Sequence, residues 1–331
     1  MILSENSCIG RGGQGAVYKL WDAHLGRNIA VKVIKGNAMQ EAVFLSKLKH
    51  QALPSVIQAY FENDITYILM EFIEGETLTE IINKQGRIKK EQAIEWGIEI
   101  LNVMQYLHNY SPSLIYGDLK TDNLMIQCDG QIRLIDFGAV HESRDFKLER
   151  LKKSYVTRGF AAPEQYQMIN GNLADIRCDI YSFGMVLFAM LTGENPSKPP
   201  YGRLLIKMHE PELHGQLRAI IECCTQDNPR SRYQSCEECA RELKQCQNTD
   251  KKRIKMSKGY YLWYHCMIMI SCLASLYGIE RAMINKIESS IFLLVLGGFI
   301  CLFGSVYRKC FLTKIKAEFG IKTLVNVFLS E

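Results

Sequence analysis

The feature that most constrains this chain is a set of closely spaced polar residues among apolar neighbours, within residues 114–138. Asp118, Lys120 and Asn123 lie within six positions of one another, and Asp136 follows on an Asp-Phe-Gly turn. An acid can take the proton of an attacking hydroxyl, a lysine can neutralise a phosphate during transfer, and an amide oxygen with a carboxylate can hold Mg²⁺. The spacing therefore predicts a site for phosphoryl transfer.

Composition sets few further limits. The chain has 331 residues, enough for one large domain or two. Its net charge of +5 is spread along the chain except for one basic cluster, so it gives no indication of nucleic-acid binding. The first six residues lack the basic start and long apolar run of a secretory signal, and the twelve cysteines are scattered. We therefore expect a reduced, cytosolic setting for most of the chain rather than a disulfide framework.

Three glycines, Gly10, Gly12 and Gly15, lie between two strand-like runs near the start of the chain. Without side chains, backbone N–H groups at these positions can close over phosphates. Dinucleotide-binding turns use the same spacing, but they open a helix, whereas here a valine and a strand follow. The next strand-like run, residues 28–34, places Lys32 among apolar neighbours. We favour an anion as the partner of this lysine over exposure on a polar strand face.

Taken in order, these motifs resemble those of protein kinases, from about Ile9 to about Cys246. The resemblance includes an Ala-Pro-Glu sequence ending at Glu164, an acid at Asp179 that would brace the catalytic loop, and Arg232 as the expected partner of Glu164. It implies a bilobal α+β protein-kinase fold with ATP in the cleft. The implied boundaries are residues 1–247 for the kinase domain, about 1–73 for a small β-rich lobe and about 74–247 for a helical large lobe.

The resemblance also implies the chemistry of individual residues. Asp118 would be the catalytic base, and Lys120 would stabilise the transferring phosphoryl group. Asn123 and Asp136 would hold Mg²⁺. Glu41, on an amphipathic helix expected at residues 41–50, would pair with Lys32, although taken alone it reads as a solvated surface glutamate.

The same resemblance implies a set of nucleotide-binding residues in the small lobe and hinge. Met70 would be the gatekeeper, and the backbones of Glu71 and Ile73 would contact adenine. The side chains of Val17, Ala30 and Met125 would sandwich the ring. Ordinary core residues would look the same in sequence as those three. The full implied set is Ile9, Gly10, Gly12, Gly15, Val17, Ala30, Lys32, Glu41, Met70, Glu71, Ile73 and Met125.

The chain departs from the family pattern just before the catalytic acid. Tyr116 and Gly117 stand where the family has histidine and arginine, so the arginine that reads a phosphate on the activation segment is missing. We therefore predict that activity does not depend strongly on phosphorylation of that segment, expected at residues 139–161. Lys120 resembles serine/threonine rather than tyrosine kinases. The segment's candidate hydroxyls are Ser143, Ser154, Tyr155 and Thr157.

Several cysteines near the end of this domain raise the question of a zinc site. Cys236 and Cys239 have zinc-like spacing, but no second such pair or histidine pair follows, and the segment is expected to be helical. We favour unligated thiols on the last helices over zinc. The cysteines concerned are Cys223, Cys224, Cys236, Cys239 and Cys246.

The remainder of the chain predicts a membrane anchor. A basic linker at residues 248–258 precedes two runs without Asp, Glu, Lys or Arg that are long enough to span a bilayer as helices, at 259–279 and 289–307. A soluble hairpin of buried helices is the alternative. Basic flanks on both outer sides predict a two-span protein of the cell membrane, with the kinase domain and the tail, residues 308–331, in the cytosol. Gly297 and Gly298 could allow close packing in a homodimer, although two glycines indicate this only weakly.

The function predicted from these features is a membrane-anchored, bacterial-type serine/threonine protein kinase that uses ATP and Mg²⁺, acts on protein substrates and contacts the lipid bilayer. Two alternatives remain. A pseudokinase acting as a nucleotide-sensing scaffold at the membrane is disfavoured by the intact set of charged residues. A small-molecule kinase is disfavoured by the Ala-Pro-Glu sequence together with Arg232.

Overall fold

The computed structural model describes residues 7–12, 15–24, 26–143, 157–167, 175–209 and 215–248, with a few isolated helical positions from 263 to 273. The chain divides into two compact units, Met1–Thr249 and Asp250–Glu331. Most of the second unit, including nearly all of the two expected spans, lies outside the described residues. Within the ranges described, no helix is both long and apolar enough to cross a membrane.

The small lobe is built on one antiparallel sheet. The strand Ile65–Glu71 alternates buried and partly exposed side chains, the pattern of a sheet with one face on a core, whereas residues 29–32 of the neighbouring strand are all buried. The register sets Val17 opposite Lys32 and Ala30 opposite Met70. The strands are β1 Cys8–Gly12, β2 Gly15–Asp22, β3 Arg27–Lys35, β4 Val56–Glu62 and β5 Ile65–Glu71, in the spatial order β1-β2-β3-β5-β4.

One helix, α1 (Met39–Lys47), packs beside this sheet and buries Ala42, Phe44 and Leu45. The expected helix over residues 41–50 is wrong at its C-terminal end, because Leu48 is extended and the chain enters a loop. That loop turns inward rather than continuing the helix: Ala52 and Leu53 are buried, and the carbonyl of Ala52 accepts a hydrogen bond of 2.8 Å from the N–H of Leu134.

The large lobe is mainly helical, with short strand pairs that shape the cleft. β8 joins β6 and β9 in a three-stranded sheet, and β10 pairs with β7. The elements are β6 Glu76–Thr77, α2 Leu78–Gln85, α3 Lys90–His108, β7 Leu114–Ile115, β8 Leu124–Ile126, β9 Ile132–Leu134, β10 His141–Glu142, α4 Pro163–Gln167, α5 Arg177–Thr192, α6 Arg203–Met208, α7 Gly215–Cys224 and α8 at residues 236–248.

Helix α5 is the centre of this lobe. Every residue from Cys178 to Met190 is buried, so the helix lacks a polar stripe, as expected for one surrounded by other elements. Gly184 allows a close approach, because a Cβ there would come within 2.6 Å of the side chain of Cys224 on α7. The start of α5 also carries a buried carboxylate, Asp179, directly beneath the loop that holds Asp118.

Candidate active site

Three charged side chains meet at the back of the cleft. Lys32 on β3 lies 2.5 Å from Oε1 of Glu41 on α1 and 2.8 Å from Oδ1 of Asp136. Burial disfavours the charged lysine, but the two carboxylates outweigh it and raise the pKa of Lys32. Burial likewise opposes ionisation of Asp136, yet Lys32 and the N–H of Gly138 hold its pKa below the ordinary value. The structure therefore joins these three predicted residues as a buried cation between two acids, and not as solvated surface groups.

The three glycines of the turn between β1 and β2 have different surroundings: one is required by close packing, and two border open space. Gly15 has a φ of +143°, and a Cβ on it would come within 2.2 Å of the carbonyl oxygen of Val33. Gly15 is thus required by the packing of β2 on β3. At Gly10 and Gly12 a Cβ would meet nothing within 4 Å, so the space over the turn is open. Ile9, on the same strand, has 53% of its surface exposed.

The side chain of Asp118 is held by groups from two segments. Lys120 Nζ lies 2.7 Å from Asp118 Oδ2, and the hydroxyl of Thr157 donates to Asp118 Oδ1 over 2.6 Å. Lys120 also donates to the Thr157 hydroxyl over 3.1 Å. Asp118 therefore already accepts a hydrogen bond from an alcohol with an ammonium group alongside, the arrangement required for taking a proton from a serine or threonine hydroxyl.

The backbone before Asp118 is anchored on α5. The two carboxylate oxygens of Asp179 accept hydrogen bonds from the backbone N–H groups of Tyr116 and Gly117, of 2.9 and 2.8 Å. Nε2 of His108 lies 2.9 Å from the same carboxylate. The carbonyl oxygen of Gly117 in turn accepts a hydrogen bond of 2.8 Å from the side-chain amide of Gln165. This bracing by Asp179 follows the family expectation, whereas the sequence assigns no role to Gln165, which follows Glu164 in the Ala-Pro-Glu-Gln form of the motif.

The predicted metal ligands lie beside this loop. The side-chain amide nitrogen of Asn123 donates to the carbonyl oxygen of Asp118 over 2.8 Å, which leaves its amide oxygen as the atom suited to a metal. Asp136 is held ionised by its neighbours. Two oxygen ligands fit Mg²⁺, which keeps several waters and takes its remaining ligands from substrate phosphates. With the open space at Gly10 and Gly12, the residues present fit a metal-bound nucleotide.

The apolar residues expected around adenine lie at the junction of the two lobes. Ala30, Met70 and Ile73 are buried, and Val17 and Met125 are half-buried. The pairing of Ala30 with Met70 places them side by side in the sheet. These positions agree with an adenine pocket.

The predicted pair of Glu164 and Arg232 is formed as a two-pronged contact. Arg232 reaches the two carboxylate oxygens of Glu164 over 2.6 and 2.7 Å, and its side chain is fully buried. The same guanidinium donates to the carbonyl of Arg177 at the start of α5. The contact joins the end of the activation segment to the base of the large lobe.

Four of the five cysteines on α7 and α8 are buried. Among the residues that the structure describes, no group of three or more His, Cys, Asp or Glu side chains could hold a metal ion. Burial raises the pKa of the Cys224 and Cys236 thiols well above the usual range. Cys224 lies 3.6 Å from the sulfur of Cys239.

One partly buried ion pair near the hinge was not predicted. Arg133 on β9 lies 2.8 Å from Oε2 of Glu71, the last residue of β5. The sequence contains a signal for it, since an arginine stands in the apolar run of β9 that precedes Asp136. Its partner is distant in sequence and is identified only by the fold.

Two lobes around a buried lysine-glutamate pair, with an acid, a lysine and an asparagine on one loop, define a protein kinase domain. The sequence model of the protein kinase domain family matches residues 3–259. The chain belongs to the protein kinase family, which confirms the fold and the resemblance expected for this part of the chain.

Comparison with known proteins identifies bacterial relatives. A probable serine/threonine-protein kinase of Clostridium acetobutylicum is 30% identical over 261 residues, which cover 72% of this chain and 39% of that protein. One from Streptomyces coelicolor is 27% identical over 265 residues, covering 72% and 39%. The serine/threonine-protein kinase PrkC of Bacillus subtilis is 26% identical over 264 residues, covering 73% and 40%. The match therefore spans about two fifths of the length of these relatives.

Proposed function

We propose that this chain is an ATP-dependent protein kinase that phosphorylates serine and threonine residues of proteins. The observation that carries the proposal is the hydrogen bond of 2.6 Å from the Thr157 hydroxyl to Asp118, with Lys120 beside it. Asp118 would accept the proton of the substrate hydroxyl, and Lys120 would neutralise charge on the phosphoryl group. The names of the bacterial relatives support serine and threonine as acceptors.

The remaining site residues would bind and orient the nucleotide. Lys32, oriented by Glu41, would hold its phosphates, and Asn123 and Asp136 would hold Mg²⁺, which neutralises phosphate charge when bound. Gly10 and Gly12 leave room for the phosphates under β1. The hinge backbone of residues 71–73 would contact adenine.

Transfer of radiolabel from ATP to a generic protein substrate tests the proposal. Wild type and Asp118→Asn are compared with Mg²⁺ present and after its removal with a chelator. We expect transfer by wild type alone, dependent on Mg²⁺, with label on phosphoserine and phosphothreonine after acid hydrolysis. Nucleotide binding without transfer above the Asp118→Asn level would instead support a nucleotide-sensing scaffold.

We further propose that activity does not require a phosphate on the activation segment. Gly117 replaces the arginine that would read such a phosphate, while its N–H and carbonyl remain fixed by Asp179 and Gln165. Ser154 and Tyr155 lie outside the described residues. Variants that lack their hydroxyl groups therefore test whether a phosphate at either position is needed. We expect Ser154→Ala and Tyr155→Phe to keep activity within about twofold of wild type, because the charge reader is absent.

Thr157 needs a separate control because it contacts both Asp118 and Lys120. We expect Thr157→Ala to lose at least about tenfold in kcat/KM and Thr157→Ser to retain most of it, since serine keeps the hydroxyl. Loss of activity in Ser154→Ala that aspartate restores would contradict independence from phosphorylation.

We also propose that the chain is anchored in the cell membrane by spans at residues 259–279 and 289–307, with the kinase domain on the cytosolic side. The support is the pattern of long uncharged runs and flanking basic residues in the sequence. Association as a homodimer through the second span is a weaker part of the same proposal, and analytical ultracentrifugation in detergent of wild type and a Gly297→Leu, Gly298→Leu variant tests it.

A further inference from the structure

The ion pair of the buried Arg133 and the partly exposed Glu71 lies where three parts of the nucleotide cleft meet. Glu71 is the last residue of β5 and the first of the hinge, whereas Arg133 belongs to β9 of the large lobe. Besides reaching Glu71 over 2.8 Å, the guanidinium of Arg133 donates to the carbonyl of Leu53, over 3.3 Å, in the loop after α1. The arginine therefore bridges the hinge, that loop and the large lobe.

Glu71 is fixed by more than the arginine. Its backbone N–H donates to the carbonyl of Ser55 over 2.9 Å, and its carboxylate accepts the N–H of Ser55 over 3.2 Å. Both the backbone and the side chain at the start of the hinge are thus held by the segment that precedes β4. Arg133 contacts the same carboxylate through the ion pair with Glu71, and it contacts the same segment through the carbonyl of Leu53.

β9 also leads directly to the metal-binding turn. Arg133 stands opposite Met125 of the expected adenine pocket, and antiparallel partners place their side chains on one face. The backbone N–H of the next residue, Leu134, donates a hydrogen bond to the carbonyl of Ala52. The N–H of Ile135 donates one to the carbonyl of Asn123 over 3.1 Å. Asp136 follows. One short strand therefore connects the hinge contact at one end of the cleft with both expected Mg²⁺ ligands at the other.

We infer that Arg133 is a positioning residue for the adenine end of the nucleotide site, and that it acts by holding Glu71 and the hinge backbone of residues 71–73 in place. The inference rests on the proposed ATP-dependent function. It assigns the arginine no contact with nucleotide: its effect passes through Glu71. Only 9% of the Arg133 side chain is exposed, against 31% of that of Glu71, so loss of the glutamate leaves the less solvated charge unpaired.

The test measures binding of adenosine and of a non-hydrolysable ATP analogue with Mg²⁺, by competition with a fluorescent nucleotide on the purified chain of residues 1–331. We expect Arg133→Met to weaken both by a similar factor, about tenfold, because the lost contacts act on the part that binds adenine. Lys32→Met should weaken the analogue and leave adenosine nearly unchanged, because adenosine has no phosphates. Arg133→Lys should recover part of the affinity, since it keeps the charge but not the two-sided contact.

Two controls separate positioning from a general loss of stability. Arg241→Met removes an arginine from a surface pair with Glu237, in which both side chains are more than 60% exposed, and should change neither affinity. Hydrogen exchange at the amides of residues 71–73 should be faster in Arg133→Met than in wild type. If Arg133→Met does not fold, Glu71→Gln, which keeps size and a hydrogen-bonding oxygen, should show the same equal weakening of both ligands.

A cooperatively folded Arg133→Met protein with adenosine affinity within twofold of wild type and unchanged hinge exchange would overturn the inference. So would additive losses in the double variant with Glu71→Gln, because residues that act through one contact should not add. Wild type that binds adenosine and the analogue but transfers no phosphate would refute the proposed kinase activity and leave the role of Arg133 to be decided by the binding data. Wild type that binds neither would refute both.

Discussion

Gly117 adopts a backbone conformation that favours glycine, with a φ of +80°. A Cβ at this position would lie 3.1 Å from the carbonyl oxygen of Ala139 and 3.5 Å from the ring of His141. Both polar backbone atoms of the residue are hydrogen-bonded, to Asp179 and Gln165, so the loop cannot relax without losing these contacts. The residue that removes the usual phosphate reader thus also lets the loop before Asp118 adopt its conformation without strain.

We expect Gly117→Ala to lower the free energy of unfolding by about 1 kcal/mol, because a side chain in the left-handed region is disfavoured by that amount or more. Gly117→Arg should cost at least as much, because it places a larger side chain in the same conformation. Urea unfolding of the three proteins measures both effects. Equal midpoints for wild type and Gly117→Ala would show that the loop relaxes around the added methyl group.

Asp136 gives a prediction on pH. Burial opposes its charge, but Lys32, the N–H of Gly138 and the charge of Lys120 outweigh burial and lower its folded-state pKa below the ordinary value. Because the folded-state pKa is the lower one, the stability contributed by the carboxylate is fully present above the unfolded pKa and is lost as pH falls through the folded one. The stability difference between wild type and Asp136→Asn should therefore be constant from about pH 5 to 8 and shrink only below about pH 4. Urea titrations across this range measure it, and a difference that shrinks already near pH 6 would contradict the assigned direction.

At the scale of elements, one ion pair helps to join the end of the activation segment to α5. Arg232 is fully buried and grips Glu164 with two nitrogens. Glu164→Ala should cost about 3–5 kcal/mol, because it leaves a buried cation without its partner. The surface pair of Arg241 and Glu237 provides the control, and Glu237→Ala should change stability by less than about 0.5 kcal/mol. Similar unfolding midpoints for both variants would mean that water or backbone carbonyls replace Glu164.

The sequence predicts the local parts of the site better than their distant partners. Asp118, Lys120 and Asn123 share one loop, and their hydrogen bonds follow from spacing of a few residues. The glycines are predictable for a similar reason, since φ and close backbone approach are local needs. Such features are readable because the chemistry and the backbone requirement occur within one stretch of chain.

Contacts between elements are harder to predict where no family motif marks both partners, as it does for Glu164 and Arg232. Gln165 and Arg133 each bind a residue brought near only by the folded chain. The end of α1 was misplaced for the same reason: the apolar pattern continues through Leu48, but the carbonyl of Ala52 is taken by β9 and the chain must turn. Periodicity indicates which residues are buried, and it leaves open which element covers them.

At the scale of the whole molecule, membrane attachment is the remaining prediction. The charge pattern has a direct physical consequence: basic residues flanking the outer ends of both uncharged runs resist transfer across the bilayer, whereas the short loop between the runs, residues 280–288, carries balanced charge. Both ends of the chain should therefore stay in the cytosol, where ATP is available. So short a loop cannot fold as an external domain.

We expect the full chain to stay with membranes after extraction at alkaline pH and a chain ending at residue 249 to be released, because two apolar helices cannot leave the bilayer for water. Protease added to inside-out vesicles should digest the kinase domain, and right-side-out vesicles should protect it. Exchanging Lys251, Lys252 and Arg253 for glutamine should reduce this bias, since the basic linker helps to set orientation. Release of the chain at alkaline pH would favour a soluble hairpin of buried helices. Digestion of the kinase domain in right-side-out vesicles would place it outside the cell, which would contradict the proposed use of cytosolic ATP.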